Sequence, residues 1–588
     1  MKQLKYIILI GIWGILSSCV SDLLDRKSTT ELDSEMFWNN PDDALSATYG
    51  VYEATRTLFK RDYYLDGQGE YHWTRGVSGG DINAAGFHVG NNNAPGNQFT
   101  QMWKNAYQVV NRANFVIENI DKMLESGVGE SVATSLESLK GECYFARALA
   151  YFRLISFWGD VPYYRHVLSS NDEAISLSRT PIAEIKNELI DDLTYASEVI
   201  TNSSTDYKGR ATQAAAYAFR AKIELYWASW KKNGWPELDG FTQDPGEAQA
   251  SFRKASDDFK RVIDNYGLAL FSDGNPGTYD DPAYWKLFQH TNEYSSEIIF
   301  SVQHAGPNLG QGEEMQRDFG TRNTGNAQCW LSPTTRLIDR YQSTVTGDFA
   351  DPLVLSNDPD AENGSINPKS YENRDWRMKA TLLWDGQEMV TLSTNGLEVT
   401  GVLPFKYGQK DGINFINYDV GTGSGYIYRK WVRNEGIADR SDGPQDFYLM
   451  RLADVYLMYA EAINELEGPT AETVELINKI RRRGNLPDLE AEKYASKDAF
   501  FNAIEQERIV ELVSEGQRSF DIRRWRKVEE IWGKPNGDGW TLYNTHNVRI
   551  HDQFKNASEL YYQKYYIFQI PQEERDRNPN LTQNRPWL

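Results

Sequence analysis

The sequence is poor in cysteine, in positive charge and in long apolar runs. Only three cysteines occur among 588 residues, Cys19, Cys143 and Cys329, and none belongs to a CxxC pair or a Cys/His ligand spacing. A disulfide framework is therefore excluded by count. The formal net charge of −21 argues against nucleic acid as a partner, because phosphate binding requires a basic surface. No stretch after Cys19 is apolar for long enough to span a membrane.

Catalytic motifs are absent as well. The seven histidines are scattered without an HxxxH or similar ligand pair, and no GxSxG sequence occurs. Neither Cys143 nor Cys329 lies in a motif that marks a nucleophile, and Cys143 falls on an apolar helical face typical of a protein core. These absences predict a protein that is not an enzyme.

One group of carboxylates resembles catalytic machinery and needs a separate explanation. Four glutamates share one predicted helix, with arginines nearby in sequence: Glu505, Glu507, Glu511, Glu515, Arg508, Arg518 and residues 481–483. A glycosidase needs two carboxylates at a defined separation across a sugar. Because cationic partners are available on the same segment, we interpret these residues as a structural salt-bridge network.

A second acidic segment runs from Asp273 to Asp281 with the sequence DGNPGTYDD. Its carboxylates would suit Ca²⁺, but the spacing does not match an EF-hand. We expect an acidic loop and no cofactor, with a structural Ca²⁺ as the alternative.

The N-terminus has the pattern of an export signal. Lys2 and Lys5 precede an apolar stretch from Tyr6 to Leu16 that is too short to span as a mature helix. Leu16-Ser17-Ser18-Cys19 then resembles a bacterial lipobox. We expect a signal peptide over residues 1–18 and lipid attachment, including palmitate, at Cys19.

Helical periodicity is strongest near the C-terminus. Leu452, Val455, Tyr459 and Ile463 recur at steps of three and four, Gly468-Pro469 interrupts the pattern, and a second and a third helix follow. Similar stripes occupy residues 102–266. Helices joined by short turns are typical of a helical-hairpin array.

Two irregular regions interrupt this pattern. Residues 63–99 have no periodicity and are rich in glycine, asparagine and aromatic side chains. Residues 267–445 contain short apolar runs, such as the strand predicted at 297–302, between turn residues. Loops of this length are usually functional or disordered, and unanchored aromatic side chains disfavour disorder.

Several separated motifs stand out along the chain: RLADVYLMYAEA at 451–462, ERIVELVSEGQRSFD at 507–521, RALAYF at 147–152, WGDVP at 158–162 and NPNLTQNRPW at 578–587. Together they resemble the motifs of the SusD/RagB family of outer-membrane nutrient-binding lipoproteins. They occur in the family's order, and the resemblance covers the mature chain except for its variable loops.

The resemblance implies a mainly α fold, with a TPR-like helical-hairpin scaffold and a loop-rich insertion containing a few short strands. We treat residues 19–588 as one intertwined domain. Its parts are the tether and first helices (19–266), the insertion (267–445) and the C-terminal scaffold and tail (446–588).

The resemblance also implies non-catalytic capture of oligosaccharides or polysaccharide at the cell surface, for delivery to a SusC-like TonB-dependent barrel. Sugars stack on aromatic rings and hydrogen-bond to planar polar groups. The family implies that ligand contacts come from the loop before the first long hairpin and from the insertion. The glycan-binding candidates are Tyr71, Trp73, Arg75, Asp81, Asn83, Phe87, Asn326, Gln328, Trp330 and Trp376.

Two alternatives remain at the level of sequence. A RagB-like component of a TonB-dependent importer would bind peptides in place of glycans. A surface hydrolase would turn over its ligand, but the chain lacks a catalytic motif for that role. Trp376 is interpreted either as an added stacking platform or as a change in packing.

Overall fold

The computed structural model describes Trp38 and residues 40–74, 98–203, 209–405 and 423–588. Helices predominate in these ranges and the strands are short, which confirms the predicted mainly α fold class. Among the described helices, none combines the length and the apolar character that a membrane span requires.

The α-helices of these ranges are α1 (Pro41–Phe59), α2 (Gln98–Glu125), α3 (Glu130–Trp158), α4 (Asn171–Ser176), α5 (Ile182–Val199), α6 (Gln213–Asn233), α7 (Pro245–Asn265), α8 (Ala283–Leu287), α9 (Met315–Phe319), α10 (Thr335–Ile338), α11 (Trp376–Thr381), α12 (Leu452–Glu467), α13 (Ala471–Arg483), α14 (Lys497–Glu511), α15 (Arg518–Arg524), α16 (Val528–Trp532), α17 (Glu559–Tyr566) and α18 (Gln572–Arg577). The strands are β1 (His72–Thr74), β2 (Ile298–Val302), β3 (Leu331–Pro333), β4 (Leu382–Leu383), β5 (Glu388–Leu392), β6 (Val399–Pro404), β7 (Ile427–Tyr428), β8 (Phe447–Arg451), β9 (Trp540–Tyr543) and β10 (Arg549–Gln553).

Local sequence fixes where the scaffold begins. Asn40 caps α1 by accepting hydrogen bonds from the N–H groups of Asp42 and Asp43, and the Asp43 carboxylate accepts the Asn40 N–H in return. Pro41 occupies the first helical position, where its missing N–H costs no hydrogen bond. These local contacts specify the start of α1.

The long helices pack in chain order. α1 lies against α2, α2 against α3, α3 against α5, α5 against α6, and α6 against α7. Small buried residues such as Ala113, Ala146, Ala150 and Ala218 allow the helix axes to approach closely. Antiparallel neighbours packed in sequence form the helical-hairpin array that the periodicity predicts.

The array continues across the insertion. α7 packs against α12, which in turn contacts α13 and α14. Gly468 ends α12 with φ 92°, in the left-handed region that favours glycine, and Thr470 begins α13 with a reciprocal cap to Thr473. In α14 the fully buried aromatic residue is Phe500, whereas Phe501 stacks on Trp525 at the edge.

The insertion contributes two-stranded antiparallel sheets, as predicted. β2 pairs with β8, so the strand predicted at 297–302 is hydrogen-bonded to the segment that leads into α12. β4 pairs with β7, and β5 pairs with β6. The pairing of β2 with β8 ties the insertion to the C-terminal scaffold, and the other two sheets lie within the insertion.

The predicted irregular region 63–99 differs from the structure at its start. Asp62–Gln68 forms a buried 3₁₀ helix, and β1 follows it. Gly516 approaches this turn so closely that an added Cβ would lie 2.4 Å from the Asp62 carbonyl oxygen. Tertiary packing against the scaffold, rather than local periodicity, therefore orders these residues.

The predicted salt-bridge network is confirmed, and it is buried. Glu511 accepts hydrogen bonds from Arg451 and Arg483, both at 2.7 Å, and Glu297 also binds both arginines. Arg451 binds Glu515 at 2.8 Å. Further pairs are Arg377–Glu507, Arg377–Glu511, Arg481–Glu507, Arg518–Glu505 and Arg508–Asp454. These glutamates neutralise buried arginines and so have a structural role.

Candidate functional site

The pairing of β1 with β3 brings together the two regions from which ligand contacts are predicted. Trp73 lies opposite Ser332, and Thr74 lies opposite Leu331. The Thr334 N–H also donates to the Tyr71 carbonyl at 2.8 Å. Trp330, the candidate from the insertion, directly precedes β3. Candidates far apart in sequence therefore belong to one small antiparallel sheet.

A hairpin from the C-terminal part of the chain covers one side of this sheet. β9 and β10 pair in an antiparallel manner, and their Leu542 packs with Trp73 in a small apolar cluster. Trp540 and Ile550 are half-buried against the same cluster. The His551 ring lies 5.3 Å from the Trp73 ring. The hairpin thus adds two aromatic side chains, Trp540 and His551, to the site.

The hairpin is a site element that sequence reasoning missed. Its alternation of Trp540, Leu542 and Ile550 with polar residues is a strand signal that was available in the sequence. Its neighbour Tyr543 is 36% exposed, and the Tyr543 carbonyl accepts a hydrogen bond from Thr335 at 3.3 Å. The position of the hairpin beside β1 could not be derived from that alternation.

The predicted candidates in residues 63–99 have different positions. Tyr71 and Trp73 are both buried, at 7% exposure, and the Arg518 guanidinium lies 5.7 Å from the Tyr71 ring. Tyr71 and Trp73 therefore support the site from the core side. Arg75, Asp81, Asn83 and Phe87 lie outside the described residues, as does Cys19.

The candidates in the insertion are held by hydrogen bonds. The Trp330 indole N–H donates to the Gln328 side-chain oxygen at 2.7 Å, which fixes the half-buried ring. Arg322 donates to the Asn326 side-chain oxygen at 3.1 Å, and Arg440 donates to the Asn326 carbonyl. Asn326 has φ 56°, a left-handed conformation that asparagine tolerates. These contacts pre-organise a planar polar surface next to an indole ring.

Trp376 has a separate position. It begins α11, where its N–H donates to the Gly484 carbonyl at 2.9 Å and its ring meets Tyr279 edge-on at 6.4 Å. Its neighbour Arg377 belongs to the buried salt-bridge network. Of the two interpretations of Trp376, this environment fits the change in packing.

The core beneath β1 holds two titratable groups whose pKa values are shifted by burial. Burial raises the pKa of Asp66 to about 7, although its carboxylate accepts the N–H groups of Gly516 and Arg518. Burial lowers the pKa of His72 to about 3, so the imidazole is neutral at pH 7. The approach of the two side chains to 3.8 Å is therefore not an ion pair at that pH.

The acidic loop at 273–281 uses its carboxylates in pairs with lysines. Asp280 binds Lys379 at 2.5 Å, and Asp281 binds Lys286 at 2.6 Å. Among the described residues, no group of three or more His, Cys, Asp or Glu side chains is arranged to hold a metal ion. Two of the three carboxylates of this loop are therefore paired with lysine ammonium groups.

Comparisons with known proteins identify relatives along most of the chain. A model described as "SusD family" matches residues 296–587, and one described as "Starch-binding associating with outer membrane" matches residues 25–225. A SusD-like protein P2 of Formosa agariphila is 24% identical over 525 residues, which cover 87% of this chain and 84% of that protein.

Solved structures share the fold. A SusD-like carbohydrate binding protein from Bacteroides fragilis superposes with a TM-score of 0.70 at 20% identity, over 93% of this chain and 100% of that chain. A laminarin binding SusD-like protein gives a TM-score of 0.62 at 19% identity, over 93% of this chain and 99% of the other.

Proposed function

Because the chain belongs to the SusD/RagB family, we propose that it binds oligosaccharides or polysaccharide non-catalytically at the sheet formed by β1 and β3. The observation that carries this proposal is the convergence of Trp73, Trp330 and Trp540 on one sheet and its neighbouring hairpin. A glycan-binding surface needs aromatic faces beside fixed polar groups. The hydrogen-bonded Asn326 and Gln328 are such groups.

The known relatives support this choice of ligand. Two structural neighbours are described as carbohydrate binding and as laminarin binding. Family membership also supports the finer proposal that the captured glycan passes to a SusC-like TonB-dependent barrel. One matching model is described as associating with the outer membrane, which supports attachment there through a lipid on Cys19.

The test is binding of purified protein to a panel of polysaccharides, measured by calorimetry and by retardation in glycan-containing gels. We expect a bound glycan whose affinity falls about tenfold or more in Trp330→Ala and Trp540→Ala, because each variant removes a stacking surface. Tyr49→Ala is the matched control, since Tyr49 is a 51% exposed aromatic residue of the helical scaffold.

Two results would contradict the proposal. If no glycan bound and peptides co-purified with the protein, the ligand would be a peptide, as in a RagB-like importer. If the isolated protein shortened its glycan, as judged by chromatography of the products, binding would not be non-catalytic.

A further inference from the structure

Two arginines border the site and stack on aromatic rings. Arg336, in α10 directly after β3, places its guanidinium 4.7 Å from the Trp540 ring centre. Arg340, four residues on, lies 4.9 Å from the ring centre of Phe349, which is 52% exposed. Both arginines are half-buried. Each guanidinium thus lies at cation–π distance from an aromatic ring.

Neither arginine has a carboxylate partner among the described residues. No Asp or Glu oxygen of that part of the chain lies within 4.0 Å of either guanidinium, the limit for an ion pair. Nη1 of Arg336 and Nε of Arg340 are shielded from solvent and make no hydrogen bond within the described residues. The chain has 83 acidic and 62 basic residues, so acidic partners are in excess. Two arginines four residues apart without a carboxylate at ion-pair distance therefore need an explanation.

Two more arginines contact the segment that precedes Trp330. Arg322 and Arg440 both donate to Asn326, one to its side chain and one to its carbonyl. Within the described residues these arginines also lack a carboxylate within ion-pair distance. Four guanidinium groups without a carboxylate partner thus flank the candidate stacking surface.

We propose that the site selects anionic glycans, whose carboxylate or sulfate groups pair with Arg336 and Arg340 while a sugar face stacks on Trp540 or Trp330. This inference rests on the proposed function and narrows its ligand class. A guanidinium binds a carboxylate or a sulfate through two parallel N–H···O hydrogen bonds, and such charge-assisted bonds are stronger than neutral ones.

The experiment compares glycans that differ in charge. Polygalacturonate supplies carboxylates, a sulfated galactan supplies sulfates, and the desulfated galactan is the neutral counterpart. Calorimetric affinities are measured at about 50 mM and about 300 mM NaCl, since screening weakens exposed charge pairs. We expect at least one anionic glycan to bind about tenfold or more tightly than the neutral one at the lower salt concentration, and its advantage to shrink at the higher.

Substitutions locate the effect. Arg336→Gln and Arg340→Gln should each reduce binding of the preferred anionic glycan several-fold, and the double variant should remove the preference over the neutral glycan. Arg253→Gln is the matched control, because Arg253 is an exposed arginine of α7 with no carboxylate partner in the described residues. Thermal melting checks that each variant is folded.

The outcomes separate the two proposals. Equal affinity for neutral and anionic glycans, or unchanged anionic binding in the double variant, overturns the inference and leaves glycan binding intact. Absence of binding to any glycan overturns the proposed function itself. A preference for polygalacturonate or for the sulfated galactan shows whether the arginines bind carboxylate or sulfate groups.

Discussion

The arginines of the scaffold and the arginines of the candidate site have opposite environments. Arg451 and Arg483 are 1% and 3% exposed, and each binds Glu297 and Glu511. Arg336 and Arg340 are half-buried and have an aromatic ring as their close partner, with no carboxylate within 4.0 Å in the described residues.

The difference shows how one side chain serves two purposes. A fully buried guanidinium requires carboxylate partners, because an isolated charge in the core is strongly destabilising. A half-buried guanidinium on an aromatic ring is tolerated without such a partner, since water solvates its remaining edge. The paired set holds chain segments together, and the unpaired set remains available to a ligand.

Removing a carboxylate from the paired set should give the largest effect. Burial would raise the pKa of Glu511, but Arg483, Arg451 and Arg377 hold that pKa well below its usual range. Glu511→Ala should lower the free energy of unfolding by about 3–5 kcal/mol, because it leaves buried arginines uncompensated. Urea denaturation measures the loss, and Glu530→Ala, at a 67% exposed side chain, is the control. A loss below about 1 kcal/mol would contradict the assigned role of the network.

The next effect concerns pH and the carboxyl beneath β1. Burial raises the pKa of Asp66 to about 7, above its value in the unfolded chain. The contribution of Asp66 to the free energy of unfolding therefore declines as pH rises between about 4 and 7, because the unfolded chain releases this proton more readily than the folded protein does. Asp66→Asn removes this decline. The difference in unfolding free energy, variant minus wild type, should therefore increase with pH, by on the order of 2–4 kcal/mol across this window.

Chemical denaturation of both proteins between pH 4 and pH 8 tests the Asp66 prediction. Burial lowers the pKa of His72 to about 3, so folded His72 stays neutral across this window, and its protonation in the unfolded chain is the same in both proteins. A difference that stays constant with pH would show that Asp66 is ionised in the folded protein throughout.

A smaller and more local loss is expected in the hairpin. Leu542 is fully buried but belongs to a small cluster with Trp73, apart from the main core. Leu542→Ala should lower the unfolding free energy by about 2 kcal/mol and speed amide exchange in residues 540–553 first. Val548→Ala, at a 54% exposed side chain of the same hairpin, should change stability by less than about 0.5 kcal/mol. Uniform acceleration of exchange over the whole chain would place the hairpin in the main cooperative unit.

The smallest effect on stability is expected for the unpaired arginines. Arg336→Gln and Arg340→Gln should change the unfolding free energy by less than about 0.5 kcal/mol, because neither breaks a carboxylate pair in the described residues. Thermal melting without ligand measures this. A loss above about 2 kcal/mol would mean that these arginines are structural, like Arg451, and would remove the contrast between the two sets.

Local patterns in the sequence predicted the helical scaffold and its salt bridges. The helix start at Asn40-Pro41, the break at Gly468 and the pairing of Glu507 and Glu511 with arginines all depend on short-range rules. The strand at 298–302 was found for the same reason. Each of these features is specified by residues that are close together in the chain or by one helix face.

The site was only partly predictable, because its contacts join distant segments. Thr334 bonds to the Glu70 carbonyl 264 residues away, and no local pattern encodes that pairing. The burial of Tyr71 follows from the scaffold residues around Arg518, and the hairpin with Trp540 reaches the site from the C-terminal part of the chain. Sequence therefore indicated which residue types to seek, and tertiary packing determined which of them meet.

The binding of three arginines to Glu511 also affects which substitutions this chain can accumulate during evolution. Arg377, Arg451 and Arg483 reach that carboxylate from three separate segments. A single substitution at any of the four positions leaves a buried charge without one of its partners, so selection should remove it before a compensating change arises. No comparable penalty attaches to the half-buried arginines that follow β3. Descendants can thus acquire new ligand preferences by single steps at the rim while inheriting the ionic interior unchanged.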